Sequence, residues 1–228
     1  MAIGLAYMIG IRFPLNFFSP YKATSVIEFW RRWNMTLSRF LRDYVYIPLG
    51  GNRKGRIVRY TNLFVTMLIG GLWHGASWNF VFWGALHGAA LMLNHFWRNL
   101  TRKLGVPTHP IIGRLATLLI VIFAWVPFRA PTLSASLSIW RAMLGANESS
   151  ANIDTSQWTW IMVACLSGVA LFLPNTAQLF LEVDKEQTVM SVARWRTNWA
   201  WGAVIGTATG IAIASSFTHP SAFLYFRF

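Results

Sequence analysis

His74 stands in Gly71-Leu72-Trp73-His74-Gly75, inside a stretch from Thr61 to Trp97 that holds no Asp, Glu, Lys or Arg. An uncharged apolar run of this length belongs in a bilayer, and an ionisable side chain within it marks a candidate functional position. Loss of water disfavours an imidazolium, so a histidine placed there reads as a neutral ring able to take a proton from a hydroxyl. Such a general base would activate a hydroxyl for attack on an acyl donor. The competing reading is a packing histidine bonded to a carbonyl near a helix break. No carboxylate lies in the run to orient the ring, so a serine-hydrolase triad has no local support.

His87 follows thirteen residues later. On one continuous helix that separation is about 20 Å, which makes the two histidines a poor metal pair. The setting Gly84-Ala-Leu-His-Gly88 reads instead as a packed helix face. His95, His109 and His219 have no metal-ligand spacing with one another, and the single cysteine, Cys165, sits in an apolar run. No metal site is expected, and Cys165 reads as packing.

The elements that hold these residues are set by composition. Of the 228 residues 55% are hydrophobic and 12% charged, with a mean hydropathy of +0.43. A soluble domain carries about a quarter charged residues, so the chain reads as an integral membrane protein, all-α, a polytopic bundle of transmembrane helices. The net charge of +13 comes from basic residues that flank apolar spans. That pattern fits cytoplasmic loops and anionic lipid headgroups, and no motif supports a nucleic-acid partner.

Residues 12–59 carry ten Lys and Arg against Glu28 and Asp43, which places this segment on the cytoplasmic side. Ser25-Val-Ile-Glu28 has the capping-box pattern, and Trp30, Trp33, Leu37, Leu41 and Tyr44 recur at helical spacing between arginines. The reading is an amphipathic helix along the interface or under a helical bundle, followed by a basic loop, together spanning 25–59. Fully helical, 61–97 would be about 55 Å long against a hydrocarbon core of about 30 Å, so it must fold back as a hairpin. The break is expected between Gly70 and Asn79. Gly71 and Gly75, then Gly84 and Gly88, have the spacing of close helix contacts. Further membrane segments are expected at 115–128 (short, ending at Pro127), 157–181 and 197–218. The loop 145–156 would lie outside and the charged segment 182–196 inside.

Thirteen tryptophans serve mostly as interfacial anchors, among them Trp30, Trp97, Trp158, Trp195 and Trp199. Trp73, Trp78 and Trp83 surround His74 in sequence and are the candidates to line an apolar tunnel. Arg31 and Arg32 read as a charged interfacial face or as a mouth for an anionic acyl donor. Asn34 and Asp43 are the polar groups expected to point away from solvent.

Taken together, Phe29-Trp-Arg-Arg-Trp-Asn34, Phe40-Leu-Arg-Asp-Tyr44, Tyr46-Ile-Pro-Leu-Gly-Gly-Asn52 and Gly70-Gly-Leu-Trp-His-Gly-Ala76 resemble the membrane-bound O-acyltransferase family. The bacterial branch that acetylates alginate and D-alanylates lipoteichoic acid is the most similar one. The ending Phe223-Leu-Tyr-Phe-Arg-Phe228 is similar to its alginate type. The resemblance implies a multi-helix fold with a tunnel through the bilayer and a histidine at its narrowest point, which maps onto His74. The family's second polar position, histidine or asparagine, maps onto Asn34. Asparagine there keeps a hydrogen-bonding role and removes proton transfer from that position. Members are about twice this length, so the chain looks like the C-terminal half, 1–228 forming part of one membrane domain.

The resemblance implies an O-acyltransferase of the bacterial inner membrane, multi-pass, with His74 as general base. The acyl donor would be acetyl-CoA or another acyl thioester, used as substrate with no bound cofactor. Expected partners are membrane lipid, that donor, and a polysaccharide or periplasmic acetyl-carrier protein. Two other readings stand beside it: a truncated non-catalytic membrane subunit, and a transporter using the histidine as a proton relay.

Overall fold

The computed structural model describes residues 2–146, 156–180 and 198–218, which form ten α-helices and no strand. The charged segment 182–196, Glu148, Asp154 and the ending 223–228 lie outside the described residues. The chain divides into two compact units, 1–172 and 173–228.

In the first unit, α1 (Ala2–Met8) is followed by α2 (Val26–Arg32) and α3 (Met35–Leu41). One wide turn, Arg42–Tyr46, continues α3. The single amphipathic helix expected here is therefore two short ones. They part at Asn34, whose φ of +39° lies in the left-handed region that asparagine tolerates better than most residues. The break leaves carbonyls open at the end of α2, and the Ser38 hydroxyl donates to those of Trp30 (3.1 Å) and Trp33 (3.3 Å). The start of α3 is capped from a distance, because Asn16 Oδ1 accepts from the Thr36 N–H and hydroxyl.

The predicted cap of α2 forms. Ser25 Oγ accepts from the Glu28 N–H at 3.1 Å, while the Glu28 carboxylate reaches back to the N–H and hydroxyl of Thr24. Val26, Ile27, Phe29 and Trp30, four of the seven residues of α2, are buried. Where a helix along the interface or under a bundle was expected, α2 packs into the core against α5 (Trp78–Leu104).

The hairpin consists of α4 (Gly55–Trp73) and α5 (Trp78–Leu104), joined by four residues. Its glycines set how closely the two helices approach. A Cβ on Gly71 would overlap the carbonyl of Phe80, one on Gly84 that of Met67, and one on Gly88 the side chain of Phe64. Small residues thus let two backbones meet where lipid offers no hydrophobic drive for association. Gly75 instead serves the turn, with a φ of +146°.

α6 (Pro110–Arg129) then packs on α5, and α7 (Leu133–Met143) packs on α6. The short segment expected at 115–128 is a 20-residue helix that continues past Pro127. Proline denies Phe123 its helical hydrogen bond, four residues back. The indole Nε1–H of Trp140 supplies that bond at 3.0 Å, and the rings of Trp140 and Phe123 stack 4.5 Å apart. The core formed by α2, α4, α5 and α6 contains Val26, Phe29, Trp30, Met67, Trp83 and Val121.

The segment expected at 157–181 is likewise divided. α8 (Gln157–Phe172) closes the first unit, and α9 (Thr176–Phe180) opens the second after Pro174. Asn175 and Gln178 start α9 with reciprocal side-chain bonds to each other's N–H, at 2.9 and 3.0 Å. α10 (Trp199–Thr218) begins where Asn198 Oδ1 accepts from the Trp201 N–H. Among the described residues, α6 is the one helix long and apolar enough to cross a membrane by length and composition. α8 (Gln157–Phe172) and the apolar stretch Trp199–Ala214 of α10 are shorter.

Candidate active site

His74 terminates α4. Its N–H donates to the Gly71 carbonyl at 3.0 Å, and the chain then turns at Gly75. Ser77 restarts the helix, its Oγ accepting from the Asn79 N–H. The predicted break between Gly70 and Asn79 thus falls at residues 74–77, with the histidine at its corner.

The Asn79 side chain is buried and donates to the carbonyl of Ala130 at 2.6 Å. This bond ties the first turn of α5 to the end of α6, and so brings Phe128 to the break. Four aromatic rings consequently meet the His74 imidazole. Trp73, Trp83 and Phe128 stand edge-on with centroids 4.9, 5.1 and 5.0 Å away, and Phe80 lies at 6.1 Å. The ring is half-buried and has no hydrogen-bond partner among the described residues. Both its nitrogens therefore remain available to a molecule entering the aromatic cage.

Behind Trp83 lies His87, 1% exposed, with ring centroids 4.8 Å apart. Trp30 Nε1–H donates to His87 Nδ1 at 3.3 Å, and Phe29 stacks on the same imidazole. The packed helix face expected for His87 is what the fold contains.

The other predicted residues stand elsewhere. Trp83 is buried beside His74, but Trp78 is 77% exposed at the start of α5 and makes no ring contact among the described residues. Asn34 is half-buried at the α2–α3 break, and no hydrogen bond links it to His74. Asp43 corrects the expectation that it points away from solvent. Its side chain is 44% exposed and takes both oxygens to Arg42, at 2.7 and 3.2 Å, because the wide turn at 42–46 swings outward. Hydrogen bonds from Arg42 hold that carboxyl below its ordinary value.

Arg31 is exposed on α2, whereas Arg32 pairs with Glu28 at 2.7 Å. Burial works against the Glu28 carboxylate, but bonds from Thr24 and the Arg32 charge outweigh it and hold its pKa below the usual range. No cluster of three histidine, cysteine or acidic side chains suited to a metal occurs among the described residues.

Phe80 and Phe128 were not foreseen from the sequence. Asn79, a polar residue in the apolar run, was the one available signal that the break is tied to another element. Phe128 is 54 residues from His74, beyond the reach of any spacing rule.

The sequence pattern of the membrane-bound O-acyltransferase family matches residues 1–140, which include His74 and every ring around it. The chain belongs to this family. Its known relatives agree. A peptidoglycan O-acetyltransferase of Helicobacter pylori is 48% identical over 147 residues, 64% of this chain and 28% of the relative. A probable alginate O-acetylase of Pseudomonas putida is 44% identical over 171 residues, 73% of this chain and 34% of the relative. A teichoic acid D-alanyltransferase of Streptococcus thermophilus is 31% identical over 103 residues, 42% of this chain and 25% of the relative. Each match spans about a third or less of the relative's length. As a member of a membrane-bound family, the chain is a membrane protein, and the aromatic cage lies within the part shared with it.

Proposed function

We propose that this chain forms the catalytic part of an O-acyltransferase, an O-acetyltransferase acting on exopolysaccharide hydroxyls of the alginate type or on a periplasmic acetyl carrier. The observation that carries the reading is His74: a half-buried imidazole, without a hydrogen-bond partner among the described residues, caged by Trp73, Phe80, Trp83 and Phe128 at a helix corner. An unpaired imidazole among apolar rings suits a general base. The acceptor hydroxyl gives its proton to His74 while its oxygen attacks the acyl carbon. The thioester C–S bond then breaks, and the departing thiolate takes the proton back. The atoms balance without metal or bound cofactor, with acetyl-CoA or another acyl thioester as donor.

Supporting roles go to Asn34, as a hydrogen-bonding group completing the site, and to Arg31, as part of a basic mouth for the donor. Arg53, Lys54 and Arg56 are exposed in the same basic segment. Asp43 and Arg32 would act at the periphery of that mouth, and Trp73, Trp78 and Trp83 would line the path to His74. The setting is the bacterial inner membrane, with the α4–α5 hairpin and α6 crossing it as part of a multi-pass bundle and 25–59 toward the cytoplasm.

The experiment is His74→Gln in the full-length protein, expressed in its own membranes, with polymer acetylation and membrane insertion both measured. Loss of acetylation with normal insertion supports the assignment. Normal acetylation removes His74 as the base.

A further inference from the structure

Among the described residues, two buried donors next to the cage have no acceptor. Trp83 is 4% exposed and its Nε1 has no partner, and the same holds for Nε2 of His87, which is 1% exposed. The tautomer of His87 follows from its one hydrogen bond. Trp30 donates to Nδ1, so Nδ1 carries the lone pair and the ring proton sits on Nε2. Both unpaired atoms are therefore N–H groups, and a buried N–H without an acceptor is costly enough that native proteins rarely leave one.

The two rings touch, with centroids 4.8 Å apart, and the Trp83 ring also meets His74 at 5.1 Å. Two donors on touching rings suit one acceptor with two lone pairs, which a carbonyl, hydroxyl or water oxygen provides.

We infer that Trp83 Nε1–H and His87 Nε2–H form a buried site for a single neutral oxygen, one ring removed from His74. That oxygen is either an oxygen of the acyl donor or acceptor, or an ordered water. In both cases the site holds the Trp83 ring against the imidazole, and His87 acts as a positioning residue. Trp30 has a distinct part: by occupying Nδ1 it keeps the donor proton on Nε2. The inference rests on the acyltransferase reading for its kinetic test, while its structural test is independent of it.

The experiment is a double-mutant cycle in the full-length enzyme, combining Trp83→Phe with His87→Leu, and His87→Gln to return an amide donor. If one oxygen is shared, each single loss removes most of the effect, the double variant is little worse than either, and His87→Gln recovers part of it. A shared substrate oxygen puts the coupling in kcat/KM, about tenfold per variant, while the effects of the two substitutions on the melting temperature of the substrate-free protein add, each including its own packing loss and, for His87→Leu, the loss of the Trp30 acceptor. A shared water puts the coupling in that melting temperature instead. Additive effects in both measurements, or no effect in either, overturn the site. His74→Gln, run alongside, separates the outcomes. If it leaves acetylation intact the base assignment fails, whereas coupling in the melting temperature would still stand.

Discussion

Asn79 donates its side-chain N–H to the carbonyl of Ala130 at 2.6 Å, joining two residues 51 apart in the chain. The bond is buried, and it fixes the end of α6 against the restart of the hairpin. Phe128 is thereby placed edge-on to His74. One carboxamide thus links the membrane helix α6 to the geometry of the cage.

Asn79→Ala removes that donor and leaves a buried carbonyl unpaired, at a cost of about 1–3 kcal/mol. The melting temperature in detergent should fall. Acyl transfer by the full-length protein should fall by about tenfold, since a small misplacement near reacting groups is expensive. A normal rate in a destabilised variant would show that Phe128 has no part in positioning His74.

The hairpin depends on the absence of side chains at its crossing. A Cβ at Gly84 meets the carbonyl of Met67, a backbone atom that cannot swing aside. Gly84→Val is expected to cost about 3 kcal/mol or more by overpacking, and to appear as poor membrane accumulation or a low melting temperature. Wild-type stability in Gly84→Val would mean that α4 and α5 do not approach as closely as described.

Trp140 and Pro127 should be coupled through the Phe123 carbonyl. Trp140→Phe removes the indole donor at 3.0 Å and should cost about 1 kcal/mol in the presence of Pro127. In a Pro127→Ala background the backbone N–H of residue 127 can bond that carbonyl, so the same substitution should cost less. Equal costs in both backgrounds, measured by thermal unfolding, would refute the exchange of donors.

Stability should fall in acid in a manner that depends on Glu28. Its folded pKa lies below the ordinary value of 4.5, so its contribution is complete above that value and is lost as pH drops through the folded one. Melting temperatures of the wild type and Glu28→Gln should therefore differ at about pH 6 and converge as pH falls from 4.5 through the folded value. A constant difference across that range would contradict the role given to Thr24 and Arg32 in stabilising the carboxylate.

The sequence by itself determined what local rules and composition control. It placed the helix start at Ser25, the return of 61–97 as a hairpin, a break between Gly70 and Asn79 and, in Gly71, Gly84 and Gly88, three of the four glycines at the crossing. Each depends on residues a few positions apart or on the limited reach of a helix across a bilayer. Tertiary structure decided the rest. The break at Asn34 hides inside a run with good helical periodicity, because its new cap, Asn16, lies 20 residues upstream of Thr36. Pro127 looked like a terminus because the donor that rescues Phe123 comes from another helix. Phe128 beside His74, and Trp30 on His87 across 57 residues, arise only when α2, α5 and α6 bury their faces together. Such pairings are set by which apolar surfaces leave solvent jointly, and no spacing along the chain encodes them.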